Sequence, residues 1–300
     1  MKKVPYNKPA LTYADQLAQV KFRGLIIPDE EEFLSLLELK SYYRLSGYWY
    51  PLLADKQNHI FKPGSSFKTA FSIYKFDREL RQLVTNEMEK IEIAVRAKMI
   101  YILAHNFGPY WYTNSNLFVN KKWHAETINK ITDEFNRSDA QFIRAFKKKY
   151  SDPLPPCWTA FEIISFGSLS KLYNNFKPGK SKRELAHWFG LDDKSFGSWL
   201  HSLVYVRNVC AHHSRLWNRV MRIQPTYPTA PLNQWLKNSS VHNNRTYYIL
   251  SIIVYLLQSL DNGHTFVEDL KILLTKYDNI DPGAMGFPPD WEQEPLWNTK

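Results

Sequence analysis

Phe71 to Leu103 reads FSIYKFDRELRQLVTNEMEKIEIAVRAKMIYIL. Its apolar residues, among them Phe71, Tyr74, Leu80, Val84, Ile91, Val95, Met99 and Leu103, recur at intervals close to one helical turn. No Pro or Gly interrupts them. At 1.5 Å rise per residue the stretch predicts a helix roughly 50 Å long, or two helices end to end. A helix of that length suits a bundle, and no clear alternating strand pattern stands out elsewhere in the chain, so the expected fold is all-α. The charged residues between, including Glu92 and Arg96, read as solvated.

The remaining chain supplies partners for it. Thr12 is an N-cap signal for a helix through Leu17 and Val20, stopped by Gly24. Asp29 followed by Glu30, Glu31 and Glu32 opens a second, since acidic residues suit the positive end of a helix. Asp55 to Ser66, with Pro63-Gly64, reads as a loop or short hairpin. Trp158–Tyr173 predicts a buried helix with Glu162 in an apolar setting. Leu185–Phe189 predicts a short helix ending at Gly190. Phe196 onward predicts a helix into residue 213, and Tyr247–Leu260 a core helix too short, and too polar at Ser251 and Gln258, to span a bilayer. The expected organisation is an N-terminal helical and aromatic extension over 1–60, a helical domain over 61–277 with a basic insertion around 114–150, and a Pro- and Gly-containing tail over 278–300 packing through Trp291 and Trp297.

Composition narrows the function classes. Lys plus Arg number 39 against 29 for Asp plus Glu, a net charge of +10. That balance favours a polyanionic partner such as nucleic acid, with a merely solvated basic surface as the alternative. Ten Trp, 18 Tyr and 18 Phe are many; aromatics stack on unpaired bases, although most belong to cores. Two cysteines, Cys157 and Cys210, make no disulfide framework and suit a reducing cytoplasm. Met1-Lys2-Lys3 leads into Pro5 and Pro9 rather than an apolar run, so neither a signal peptide nor a membrane association is expected.

The chemistry concentrates between Arg207 and Arg219, Arg-Asn-Val-Cys-Ala-His-His-Ser-Arg-Leu-Trp-Asn-Arg. Histidine moves protons near neutral pH, and arginine grips phosphate through a planar fork of donors. Together they point to a phosphodiester. The spacing, Arg207, a polar Asn208 and then His212, resembles the Arg-x4-His signature of HEPN-domain ribonucleases. The longer run resembles the Abi-like branch of that superfamily, the bacterial abortive-infection proteins. Three further stretches carry the likeness: Tyr42 to Tyr50 (Tyr-Tyr-Arg-Leu-Ser-Gly-Tyr-Trp-Tyr), Ser165 to Tyr173 (Ser-Phe-Gly-Ser-Leu-Ser-Lys-Leu-Tyr), and Met285-Gly286-Phe287-Pro288 with Trp291 beyond.

The resemblance implies a HEPN-like bundle and a metal-independent endoribonuclease of a phage-defence or toxin-type system, without a cofactor. RNA brings its own nucleophile, the 2′-hydroxyl. Cleavage then needs a base, an acid and positive charge on the transition state. His212 suits the proton transfer and Arg207 the charge, with Asn208 and His213 in support. His213 is also the alternative proton carrier. On an ideal helix Arg207 and His212 stand about 140° apart, so either the helix ends between them or the long arginine wraps around. Only one such motif is present, so the resemblance implies a homodimer with a composite site. A structured non-coding RNA or another antitoxin-like regulator is the implied check on activity. Candidate RNA contacts are Arg44 within the aromatic stretch, Lys147, Lys148 and Lys149, and Arg215 and Arg219. The alternative for the aromatic stretch is packing onto the bundle. For the motif, the alternatives are a non-catalytic RNA-binding module, a metal site of Cys210, His212 and His213 with His201, and a histidine pair that closes a helix C-terminus for structural reasons.

Overall fold

The computed structural model describes residues 5–260 and 263–298. Residues 1–4, 261–262 and 299–300, which include Met1-Lys2-Lys3 and the end of the tail, lie outside the described residues. The fold is all-α apart from one small hairpin. The chain forms two compact units, Met1–Leu80 with Ile272–Asp281, and Arg81–Lys271 with Pro282–Lys300.

In the first unit, α1 (Tyr13–Phe22) begins at a capping box. The Thr12 side chain accepts from the Asp15 amide, and the Asp15 carboxylate accepts from the Thr12 amide. Gly24, at φ +92°, turns the chain out of the helix. α2 (Glu30–Lys40) is capped by Asp29, which accepts from the Glu32 amide at 2.8 Å. α3 (Tyr42–Trp49) leads into the antiparallel pair β1 (Leu53–Asp55) and β2 (Ile60–Phe61). The aromatic stretch packs: Trp49 lies against Phe33, Tyr42, Phe61 and Phe67 with ring centroids 5.2–6.5 Å apart. The buried Tyr48 donates to the fully buried Asp77 carboxylate at 2.6 Å. These contacts stay within this unit and involve the first turns of α4 (Phe67–Phe107). From the far end of the chain, Lys276 and Tyr277 both bind Glu79, at 2.7 and 2.8 Å. Burial pushes the Glu79 carboxyl up, but those two hydrogen bonds together with the charges of Lys276 and Arg78 outweigh it and bring the group below the usual carboxylate value.

α4 runs unbroken for 41 residues and stops where Gly108 (φ +84°) and Pro109 end it. It is longer at both ends than the periodicity from Phe71 to Leu103 predicts. Its later turns enter the second unit, followed by α5 (Lys121–Arg137) and α6 (Gln141–Lys149). The single helix expected over Trp158–Tyr173 is two pieces, α7 (Cys157–Ala160) and α8 (Phe166–Asn175). Ser165 makes the break, because its hydroxyl accepts from the Ser168 amide and caps a new helix. Glu162 falls in the gap with its side chain half in solvent, not in an apolar setting. α9 (Lys180–Trp188) starts five residues before the expected Leu185.

α10 (Asp193–Ala211) and α11 (Thr246–Leu260) complete the core of this unit, with the first turns of α12 (Phe266–Lys276). Every residue of α11 from Thr246 to Leu257 is buried. The tail docks on this core. Trp297 stacks on Tyr247 at 5.4 Å and donates from its indole to Ser251 Oγ at 3.1 Å. Gly286, at φ +91°, sits where a Cβ would lie 2.5 Å from Arg245 Cβ, so only glycine fits there.

Candidate active site on the C-terminal end of α10

α10 is held rigidly before it reaches its polar end. Asp192 caps it, accepting from the Lys194 and Ser195 amides at 3.0 and 2.8 Å. Phe196, Trp199, Leu200, Leu203 and Val206 are fully buried. At Gly197 the helix meets α8 so closely that a Cβ would stand 2.4 Å from Asn174 Oδ1. The Asn174 amide group donates to Gly197 O at 3.1 Å. This packing fixes the rotation of α10 and therefore the direction in which Arg207 leaves it.

The helix ends at the histidine pair. The His213 amide donates to Cys210 O and the Ser214 amide to Val209 O, at 3.0 and 2.9 Å. These two bonds form a Schellman closure in which His213 takes the left-handed position, φ 53°. Histidine is among the non-glycine residues that tolerate it best. Ala211 is the last helical residue and His212 the cap, so the helix does end between Arg207 and His212. His212 and His213 are both exposed, as is Asn208. The chain beyond is pinned by the buried Leu216 and Trp217 and by Arg245, which donates to Asn218 Oδ1 at 2.7 Å.

Arg207 is half-buried and accompanied by a carboxylate that its own sequence neighbourhood does not reveal. Glu92 on α4 feels the Arg207 charge and pairs with Arg96 at 3.0 Å. Arg96 in turn lies 3.9 Å from Glu162. The Glu92 side chain is only 17% exposed. Burial raises its carboxyl above the usual value, against the lowering effect of Arg96 and then Arg207, with Glu89 adding to the rise. Arg207 itself donates from Nη1 to the neighbouring Asn208 Oδ1 at 3.4 Å, while Glu92 acts on it through its charge. The expectation that Glu92 and Arg96 are merely solvated is wrong, because their side chains are largely buried and pair with each other.

The other candidates divide. The Lys147 ammonium donates to Phe135 O and Asn136 O, at 2.6 and 3.1 Å, and lies over the Phe135 ring, so it closes the C-terminal end of α5. Lys148 and Lys149 are exposed, Lys149 over the Tyr150 ring at 5.1 Å. Arg219 donates to Tyr205 Oη at 3.0 Å and to Arg215 O at 2.9 Å. Arg215 is half-buried, and Arg44 is exposed in the other unit. Among the described residues no three His, Cys, Asp or Glu side chains gather closely enough to hold a metal ion. No helix of the described residues is long and apolar enough to cross a membrane.

With that geometry in place, comparison with known proteins identifies the class. The profile of the Abi-like protein family matches residues 35–218, well over half of the sequence, and the chain belongs to that family. Tyr42–Tyr50, Ser165–Tyr173 and the Arg207–His213 motif fall inside the match; Met285–Pro288 lies beyond it. Neither a curated relative nor a solved structure matches the chain at a significant level.

Proposed function

We propose that this protein is a metal-independent endoribonuclease of the HEPN type, serving bacterial abortive infection or a related toxin system in the cytoplasm. The observation that carries this reading is the end of α10, where the half-buried Arg207 lies beside Asn208 in the field of Glu92 and His212 closes the helix in solvent. In the proposed reaction the 2′-oxygen bonds to phosphorus as a base takes its proton. The bond from phosphorus to the 5′-oxygen breaks as an acid protonates that oxygen. The products are a 2′,3′-cyclic phosphate and a 5′-hydroxyl. His212 carries one of the two protons and Arg207 holds the phosphoryl oxygens.

One His212 and one Arg207 make half of such a site, so the working form is a homodimer with facing motifs. A strip on α4 of exposed Ile93, Ala97 and Tyr101 runs beside Glu92 and Arg96 and offers an apolar seam for the second copy. A structured RNA or another antitoxin-like partner restrains activity. The test is to incubate purified protein with cellular RNA and sequence the new ends. Cyclic phosphate ends that form in EDTA, and that disappear with His212→Ala, carry the reading. Cleavage lost on chelation and restored by a divalent ion overturns it. RNA binding with no cleavage under any condition selects the non-catalytic alternative.

A further inference from the structure

A cleft of about 610 Å³ opens between α5, α8 and α10, well inside the size range of ligand pockets. Its floor is built by residues already engaged in holding the fold. Asn175 exchanges hydrogen bonds with the Asn120 backbone, donating to its carbonyl and accepting from its amide, both at 2.8 Å. Asn174 bonds to Ser170 and Gly197. The rim differs. Trp123 is 62% exposed in the first turn of a well-capped helix, its amide donating to the Asn120 cap at 3.0 Å. Lys130, Lys171 and His201 stand around it, with Glu126 as the single acidic side chain of the lining. Among the described residues none of these five side chains makes a hydrogen bond, an ion pair or a ring contact.

An exposed indole flanked by unpaired cations is a poor arrangement for a surface with nothing to bind. It matches what an unpaired nucleotide needs, a flat apolar face for the base and positive charge for the phosphates on either side. Position adds to the argument. His201 and Val204 line the cleft on α10, and Asn208 follows seven residues after His201 on the same helical face, about 10 Å further along the axis. His212 follows on nearly that face, about 16 Å from His201. A single strand lying along α10 from the cleft therefore runs towards Asn208 and His212.

We infer that this cleft is a single-stranded RNA subsite. It takes one unpaired base against Trp123, with the flanking phosphates between Lys130, Lys171 and His201, and leads the strand to the motif at the end of α10. This assignment rests on the ribonuclease reading for its biological sense but not for its test. The probe is a fluorescent 2′-O-methyl oligouridylate, which binds as a single strand and cannot undergo 2′-oxygen attack, so binding is read without cleavage. Trp123→Ala should weaken its binding roughly tenfold, the loss expected for one base–aromatic stack, whereas Trp123→Phe keeps most of the affinity. The pair Lys130→Ala with Lys171→Ala should lower the slope of log affinity against log salt by about 0.7 for each phosphate the protein no longer neutralises. A fully paired duplex probe should respond to none of the Trp123 changes.

Single-strand affinity unchanged in folded Trp123→Ala, or a wild-type protein that does not bind the probe at all, overturns the assignment. Preference for the duplex probe, or equal loss on both probes, overturns it as well. The two proposals fail separately. A protein that binds through the cleft but cuts nothing keeps the subsite and loses the nuclease. One that still cuts RNA with the same specificity after the cleft is removed does the reverse.

Discussion

Two groups of cations in the second unit look alike on paper and differ in space. Lys147, Lys148 and Lys149 are consecutive, the densest basic run in the chain, and yet the ammonium of Lys147 is turned back onto the carbonyls that end α5. Lys130, Lys171 and Arg207 are separated by 36 residues or more and sit on α5, α8 and α10. The first two border one cleft with their charges unpaired, and the third lies in the field of Glu92, the carboxylate paired with Arg96. A charge run is a property of one helix and is usually satisfied by that helix and its nearest turn. A site is made where several helices converge, and convergence leaves no mark in a local window.

The largest effect that separates the two groups should come from cleavage. Arg207→Ala and His212→Ala should each reduce RNA cleavage by about 10²–10⁴-fold, the usual worth of a positioned acid, base or charge. Lys147→Ala should leave the rate per folded molecule unchanged. Cleavage by Lys147→Ala that falls as far as that of Arg207→Ala would erase the distinction. Mixing the two inactive variants sharpens it further. A heterodimer pairs an intact arginine with an intact histidine across the two copies, so recovered activity ties the site to the assembly.

The next effect is on the support rather than the site. Gly197→Ala places a Cβ 2.4 Å from Asn174 Oδ1 and also against Tyr173. Overpacking of that kind costs about 1–3 kcal/mol. Denaturant unfolding should show that loss, and cleavage should fall further than the fraction unfolded explains, because α10 must rotate to relieve the clash and takes Arg207 with it. A loss of stability with full activity in the folded fraction would mean that Asn174 yields while α10 stays in place. Lys147→Ala belongs beside it as the smaller structural loss. Removing a cation from a helix C-terminus costs about 0.3–1 kcal/mol, with no change in the salt slope of RNA binding.

Much of the scaffold is legible in the sequence for local reasons. Thr12 and Asp29 announce helix starts because their caps bond within three residues. The length of α4 follows from an unbroken apolar repeat, and the bent-back end of α10 is one of the two outcomes that the Arg207–His212 spacing allows. The break at Ser165 carries a local signal too, a serine N-cap, but the apolar residues on both sides of it, Phe161 and Phe166, continue as though one helix ran through. What the sequence hides is tertiary. Glu92 and Arg96 have the spacing of an ordinary surface pair, and only tertiary packing buries them and brings Glu92 into the field of Arg207. Trp123 looks like one more core aromatic among many, and its exposure appears only when α5 is packed.

Glu92 gives the finest division between a residue that stabilises and one that positions. Its carboxyl is raised chiefly by burial, which outweighs the opposing pull of Arg96 and Arg207. A carboxyl whose folded value lies above its unfolded value binds protons more readily in the native state. Its contribution to stability is therefore fully present below the unfolded value and is lost as pH rises through the folded one. Glu92→Gln keeps the shape and removes the titration. Relative to wild type, the variant should become progressively more stable as pH climbs from the acid side of the carboxylate range to neutrality, read as the difference in denaturant midpoint at the two ends. Its cleavage activity should move the other way, because Arg207 has lost the nearby negative charge while His212 is untouched. A variant less stable than wild type at neutral pH would show that the Arg96 ion pair and the charge of Arg207 outweigh burial. A variant more stable and equally active would remove Glu92 from the site and leave Arg207 to find the phosphate by itself.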